Sequence, residues 1–413
     1  MKQSHKIFYS VLILLLAIIL GGNSILDTRL NVFFIGVLLF LVHMASNKNI
    51  QNSMIRILVI WLVINVLSVV ILGGGFIFFR IIIMTVNLIL VPYLFLRAMG
   101  PGFWDKLEKV IFILTLLSIP LYLLNILFID FFNSLTIYFE PLTKHSLTVN
   151  LHYWTALIYT NAIGDNYYGL VRNSGFVWEP GGFAMIIIVA IVYNWLTNGV
   201  SFNRKIFIYI VALISTFSTA GYFALLFILA AFYIKKVTFF NIILLGIAVI
   251  IFFNFVYQLD FMEGKINKYT EAYQQNEINA KAEKNKVKVN RFQGGYEALV
   301  KTMKYPLGYG LVSEKDYTDE VEIYGTNGLG SLLVMWGIPA FIYLIYLMWK
   351  FFVILNIRNL NRLTLFFLMM ALLVVFFSNP IARYILPYLI IITPLAFKKY
   401  EIDHYFLAYR KTE

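Results

Sequence analysis

The chain has no cysteine among its 413 residues, which excludes disulfide bonds, thiolate metal sites and c-type haem attachment. It has only five histidines, and no two of them have the spacing of metal ligands. The phosphate-cradling G-x-x-x-x-G-K-[ST] motif is missing, as are H-E-x-x-H and G-x-S-x-G. We therefore expect neither a bound metal nor a cofactor.

Charged residues are also scarce. They make up 13% of the chain, whereas an ordinary soluble domain has roughly 25%. So few charges cannot cover the surface of a soluble protein of this length. The net charge is +12, but no basic stripe is interleaved with aromatic residues, so nucleic acid is not an expected partner.

Apolar residues, by contrast, are abundant: 61% of the chain is hydrophobic, and the mean hydropathy is +0.80. The sequence predicts an all-α polytopic membrane bundle of about twelve transmembrane helices, each of about 20 apolar residues. We interpret residues 1–413 as a single integral-membrane domain. The short pair 204–219 and 220–234 also fits one kinked hairpin with its tip at Thr219–Gly221. The predicted spans are residues 7–26, 30–45, 54–72, 76–99, 107–129, 178–197, 204–219, 220–234, 237–257, 329–354, 363–378 and 381–397.

Lysine and arginine are concentrated in alternate short loops, and this pattern predicts the orientation of the chain. With the N-terminus in the cytoplasm, every short cytoplasmic loop is basic. We therefore expect both termini inside and two long segments, residues 130–177 and 258–328, outside. Residues 1–20 are followed by no small-x-small cleavage site, so we expect an uncleaved first span. The predicted inside clusters are Lys2/Lys6, Lys48/Arg56, Arg97/Lys106/Lys109, Arg204/Lys205, Lys235/Lys236, Lys350/Arg358/Arg362 and Lys398/Lys399/Arg410/Lys411.

The two long outer segments differ in character. In the first, residues 151–159 form an amphipathic stretch that we expect to lie in the plane of the membrane interface. In the second, residues 263–290 are polar on all sides, which fits a solvated helix or a mobile segment. An amphipathic helix is predicted to follow and to end at Tyr305–Gly310. Its apolar positions are Phe292, Tyr296, Leu299, Val300 and Met303.

The most unusual stretch begins with Arg172 and continues through Glu179 to a Pro-Gly-Gly sequence at the predicted outer mouth of a span. Pro180 suits the first turn of a helix, and Glu179 would then lie at its N-terminal end, where the helix dipole favours negative charge. Two interpretations are open: a capping glutamate with a snorkelling arginine, or an anion-binding arginine beside a general base. Gly181 and Gly182 favour the second, because they let a ligand approach the backbone closely.

Three further arginines lie on the predicted outer side. Arg291 opens the amphipathic helix, and Arg80 and Arg383 lie near the outer ends of their spans. A surface or snorkelling role is open for each. A binding role is open as well, because charges at membrane depth usually face the bundle interior. Together with Arg172 they would form an outward-facing basic cluster, and the planar guanidinium suits diphosphate because it binds phosphate oxygens bidentately.

Three short blocks follow one another along the chain: Arg172–Gly175 with Trp178–Ala184, then Arg291 with Tyr296–Leu299 and Pro306–Leu311, and then Gly325–Gly328 with Met335–Pro339. Together they resemble the bacterial O-antigen polymerase and O-antigen ligase superfamily, the Wzy-type and WaaL-type membrane glycosyltransferases. They are similar to the Arg-x-x-Gly…Pro block, the arginine-led helix with its glycine exit, and the His-Asn segment of these enzymes. Ligases have a functional histidine before the asparagine of the third block. Thr326 stands there in this chain, which favours the polymerase.

The resemblance implies a metal-independent glycosyltransferase in the bacterial cytoplasmic membrane. It would join undecaprenyl-diphosphate-linked oligosaccharide repeat units into a surface polysaccharide, an O-antigen or capsule, at the outer face. Its partners would be these lipid-linked substrates, the lipid bilayer, a chain-length regulator and a flippase. Arg172 and Arg291 would neutralise the leaving diphosphate, and Glu179 would be the general base. The remaining predicted substrate-binding residues are Arg80, Arg383, Gly175, Tyr296 and Asn327.

Two alternative functions stay open. One is ligase-type transfer of the glycan to another acceptor. The other is a transporter or flippase of a lipid-linked glycan, which carries out no chemistry. Transporters often have internal repeats with interrupted spans at matching positions, and this sequence has no visible pairing of that kind.

Overall fold

The computed structural model describes residues 50–72, 78–143, 152–156, 158–163, 171–234, 291–311, 327–379 and 381–410, with a few residues between 13 and 40. Most of the predicted spans 7–26 and 30–45, all of 237–257, and the polar segment 263–290 lie outside the described residues.

The described part of the chain is mostly helical. The helices are α1 Asn52–Leu72, α2 Phe78–Thr85, α3 Val91–Met99, α4 Phe103–Leu127, α5 Ile129–Thr143, α6 Pro180–Asn198, α7 Arg204–Ser215, α8 Thr219–Ile234, α9 Arg291–Lys304, α10 Gly328–Leu355, α11 Arg362–Ser378, α12 Ile385–Ala396 and α13 Lys399–Arg410. A π-helical turn, Val86–Leu90, joins α2 to α3, and a 3₁₀ turn, Ile381–Arg383, lies between α11 and α12.

Helix length and apolarity identify an α-helical membrane protein. Five described segments are long and apolar enough to cross a membrane: α1, α2 through α3, α4, α6 and α10. Helices α8, α11 and α12 are apolar but shorter. These eight segments coincide with predicted spans, whereas the total of about twelve stays a prediction.

The exposed side of α1 shows why lipid must surround the bundle. Val59, Val63, Val66 and Val70 face outward along this helix, and Val70 is 74% exposed. An apolar stripe of this length would be unfavourable in water and is stable in hydrocarbon. At the centre, α6 and α12 are buried along nearly their whole length, so the core consists of these two helices and their neighbours.

Helices α7 and α8 form a hairpin whose turn begins three residues before the predicted tip. Helix α7 ends at Ser215, and Phe217 takes a left-handed backbone conformation with φ of 46°. The Thr216 hydroxyl accepts a hydrogen bond from the Ser218 N–H at 3.2 Å and donates one to the Leu213 carbonyl at 2.7 Å. This local bonding of Thr216 ends the helix before Thr219.

The stretch predicted to lie in the membrane interface, residues 151–159, belongs to a β-hairpin, and its place in the interface stays a prediction. Helix α5 fills its beginning, and the strands β1 (His152–Ala156) and β2 (Tyr159–Ile163) then form an antiparallel hairpin that pairs Trp154 with Asn161. Aromatic and β-branched residues such as Tyr153, Trp154 and Thr155 favour this pleated conformation. Asn125 of α4 donates to the Tyr159 hydroxyl at 3.0 Å and so fixes the hairpin on the bundle. Burial raises the pKa of Tyr159, so this phenol stays neutral.

Helix α10 is broken at Gly337, where the segment after α9 packs against it. Gly337 has φ of 74° and ψ of 170°. The Tyr309 N–H donates to the Val334 carbonyl at 2.9 Å, and the Ile338 N–H donates to the Pro306 carbonyl at 2.7 Å. Non-helical backbone within a membrane bundle needs such internal partners. The predicted glycine exit and the third sequence block therefore meet backbone to backbone.

We expect Gly337→Ala to destabilise the protein far more than Gly100→Ala. Both glycines have nearly the same backbone conformation, with φ of 74° and 72°, so an alanine costs about 1–3 kcal/mol of strain at either position. A Cβ at Gly337 would also overlap the backbone of Leu307 and Gly308, whereas a Cβ at Gly100 meets nothing within 4 Å. The measurement is the melting temperature of each purified variant in detergent. Equal losses would show that the two backbones need not approach so closely.

The helix ends collect at two opposite ends of the bundle. At one end, Gly328 at the start of α10 lies against the carbonyl of Asn379 at the end of α11. Trp178, just before α6, stacks on Tyr384, just before α12, with ring centroids 4.5 Å apart. We call this the site end.

The opposite end carries many lysines and arginines, and we call it the basic end. The Ile357 N–H after α10 donates to the Leu196 carbonyl of α6 at 3.1 Å. Lys399 donates to the Ile354 carbonyl at 3.0 Å, which places a cation at the C-terminus of α10. Lys205 forms an ion pair of 2.7 Å with the buried Glu108.

Candidate functional site

Arg172 lies at the site end, held by the turn between α7 and α8. Its Nε donates to the Thr216 carbonyl at 3.2 Å and its Nη2 to the Phe217 carbonyl at 3.4 Å. Next to it, the Asn173 amide donates to the Ser215 hydroxyl at 2.9 Å. The guanidinium is thus oriented by backbone carbonyls. Arg172 therefore stabilises the structure of this loop and also gives the loop a positive charge.

Gly175 forms the turn between Arg172 and Glu179. It has φ of 54°, and its N–H donates to the Asn173 side-chain oxygen at 2.8 Å. A Cβ at this position would lie 2.6 Å from the ring of Phe183. The structure therefore gives Gly175 a packing role in a buried turn, and its predicted contact with substrate stays a prediction.

Glu179 is the N-cap residue of α6, and Pro180 is the first residue of that helix, as the sequence predicts. The Glu179 side chain accepts no hydrogen bond from the N–H groups of the first turn. The simple capping interpretation is therefore not supported by the geometry. The carboxylate is half-buried beside Gly181, whose small size leaves space next to it.

Arg291 begins α9, and its Nη1 donates to the hydroxyl of Ser378 at the last turn of α11. Helix α9 packs on α10 through a stripe of small residues, in which Ala298 lies against Gly330. The predicted apolar face of the helix points the other way: Phe292 is 80% exposed and Met303 is 66% exposed. The contact with α10 uses the small side chains of α9 instead, because they let the two helices approach closely.

Asn327 connects α9 to α10. Its side-chain oxygen accepts from the Gly330 N–H at 2.7 Å, which caps α10, and its side-chain nitrogen donates to the Arg291 carbonyl at 3.0 Å. The side chain is fully buried. Asn327 thus positions Arg291, and its predicted direct contact with substrate stays a prediction.

The end of α11 is the point at which the three sequence blocks meet. Ser378 binds Arg291 of the second block. Asn379 contacts Gly328 of the third block, and its side-chain oxygen lies 3.2 Å from where a Cβ of Gly181, in the first block, would stand. The Glu179 carboxylate, the Arg291 guanidinium and the buried Asn379 amide therefore all lie near the end of α11.

The other predicted substrate-binding residues are less closely joined to this point. Arg80 is half-buried in the first turn of α2, and Tyr296 is 66% exposed on α9. Arg383 ends the 3₁₀ turn that precedes Tyr384, while its side chain lies outside the described residues. Their roles in binding stay predictions.

Sequence reasoning missed Ser378, Asn379 and Tyr384. The first two stand directly before Pro380, at the end of a long apolar run. A polar pair of this kind at the mouth of a span is the signal that could have pointed to them.

No protein-family model, curated protein or solved structure matches the chain. Among the described residues, no three His, Asp or Glu side chains come together as a group that could hold a metal ion. The chemistry of the site end is therefore argued from its own side chains: one carboxylate, two guanidinium groups and buried amides.

Proposed function

We propose that this protein is a polymerase of lipid-linked oligosaccharide repeat units, acting at the outer face of a bacterial cytoplasmic membrane. The observation that carries the proposal is the meeting of all three sequence blocks at the end of α11. Glu179, Arg291 and Asn327 come from distant parts of the chain, yet each lies within one or two contacts of the Ser378–Asn379 pair.

The proposed reaction needs a base on one substrate and positive charge on the other. A hydroxyl oxygen of the acceptor sugar attacks the anomeric carbon of the donor glycan, and its proton passes to the Glu179 carboxylate. The bond between the anomeric carbon and the diphosphate oxygen breaks, and the undecaprenyl diphosphate leaves with the electron pair. Arg172 and Arg291 stabilise the charge that develops on this diphosphate.

The distribution of basic residues supports the proposed orientation. Arg97, Lys205, Arg358 and Lys399 all lie at the basic end, which corresponds to the predicted cytoplasmic side. The site end would then face outward, where lipid-linked repeat units are joined in this class of reaction.

Single cysteines can test the orientation, because the chain has none of its own. Lys304 is exposed next to Ile71 of α1, near the site end, and Arg204 is exposed at the start of α7, at the basic end. We expect a membrane-impermeant maleimide to label Lys304→Cys in intact cells, and Arg204→Cys only after permeabilisation. The reverse labelling pattern would invert the orientation and place the site end in the cytoplasm.

The proposed activity is tested with purified protein and a lipid-linked repeat unit in detergent. We expect a ladder of products that differ by one repeat unit. Transfer to a different acceptor without a ladder would favour the ligase. Movement of the lipid-linked glycan across a vesicle membrane, with no new glycosidic bond, would favour the transporter.

A further inference from the structure

Asn379 is a buried acceptor at the site end that the proposed reaction does not yet use. Its side chain is 1% exposed, and its nitrogen donates to the Val375 carbonyl at 2.6 Å. Its oxygen accepts no hydrogen bond from any described residue. A buried carbonyl oxygen without a donor is unfavourable, and such a group in a native fold calls for a partner.

The Asn379 oxygen and the Glu179 carboxylate border the same small space. A Cβ built on Gly181 would lie 3.2 Å from the Asn379 oxygen and 3.7 Å from Oε1 of Glu179. Gly181 has no Cβ, so both oxygens lie against the open side of this glycine. Glycine is the residue that lets a ligand come this close to the backbone.

The charges around this space determine which ligand it suits. Both bordering atoms are hydrogen-bond acceptors, and one of them belongs to a carboxylate, so a phosphate or diphosphate oxygen would be repelled. A neutral group that donates hydrogen bonds fits, and neighbouring hydroxyls of a sugar provide two donors side by side. Trp178, the residue before Glu179, stacks flat on Tyr384, with an angle of 5° between the rings.

We propose that Asn379, with Glu179, forms the subsite that binds hydroxyl groups of the acceptor sugar. One hydroxyl donates to the Asn379 oxygen and so positions its neighbour at the Glu179 carboxylate. The two arginines bind the diphosphate elsewhere at the site end. This inference rests on the proposed function for the identity of the sugar, whereas the subsite itself can be measured without any turnover.

The test measures equilibrium binding of the carrier-free repeat-unit oligosaccharide, released from the lipid-linked pool by mild acid, to purified full-length protein. We expect Asn379→Leu, which keeps the size of the side chain and removes the acceptor, to weaken sugar binding at least tenfold. Binding of undecaprenyl diphosphate should change less than twofold. Gly181→Ala should weaken sugar binding similarly, because its methyl group would occupy the space.

Asn356→Leu is the matched control. Asn356 is the residue that ends α10, at the basic end, and both its side-chain atoms bond to Leu360, at 2.9 and 2.8 Å. The Asn356→Leu variant should lower the stability of the protein at least as much as Asn379→Leu does, and it should leave sugar binding unchanged. Unchanged sugar affinity in both Asn379→Leu and Gly181→Ala, or no sugar binding by the wild-type protein, would overturn the subsite. Sugar binding that depends on Asn379 without any ladder would overturn the polymerase and leave the subsite standing.

Discussion

Glu179→Gln should abolish the product ladder while the purified protein still binds lipid-linked substrate. Glutamine has the shape of glutamate and can hydrogen-bond, but it cannot take the proton of the acceptor hydroxyl. If Glu179 only stabilised the N-terminus of α6 through the helix dipole, its charge would contribute about 0.3–1 kcal/mol, and the ladder would persist. Glu179 accepts no hydrogen bond from the first turn of α6, so the loss of a cap would not explain a larger effect.

Glu401→Gln is the matched control for that experiment. Glu401 lies in the first turn of α13, and its Oε2 accepts from the Lys398 N–H at 2.7 Å, so it is a capping glutamate at the basic end. We expect this variant to form a normal ladder. A normal ladder from Glu179→Gln would remove Glu179 from the mechanism. The base would then be sought among Glu297, Asp316 and Glu322.

Those parts of the fold that depend on local sequence could be predicted well. The start of α6 follows from Pro180 after a glutamate, and the bounds of α9 follow from helical spacing ended by a proline and glycines. Each of these signals lies within a few residues of the feature it predicts, so the sequence is sufficient to locate it.

Those parts that depend on distant contacts could not be predicted. Arg291 and Ser378 are 87 residues apart in the chain, and no sequence pattern near either residue predicts that they are in contact. The side of α9 that packs on α10 could not be predicted for the same reason. Helical spacing identifies an apolar face such as that of Phe292 and Met303, but it cannot show that the partner helix packs on the small residues instead. Within a membrane, lipid can cover an apolar face, so apolarity alone no longer predicts burial.

Arg291→Lys should reduce the rate of ladder formation by well over tenfold, about 1.4 kcal/mol or more of transition-state stabilisation. Lysine keeps the charge but loses the planar guanidinium. In the proposed reaction, one side of the guanidinium binds Ser378 and the other would bind the diphosphate. Arg291 tests this more cleanly than Arg172, whose Nε and Nη2 hold the α7–α8 turn. A lysine at Arg172 would disturb that turn as well as the chemistry.

Ser378→Ala separates the charge of Arg291 from its orientation. This variant leaves the guanidinium in place and removes the hydroxyl that positions it. If orientation matters, Ser378→Ala should lower the rate of ladder formation severalfold, but by less than Arg291→Lys does. The rate of the double variant should fall by a factor smaller than the product of the two single factors, because both substitutions act on one interaction. Rates and melting temperatures of the three variants are compared in the same detergent. A full rate for Arg291→Lys, with an unchanged melting temperature, would return Arg291 to the role of a surface cation.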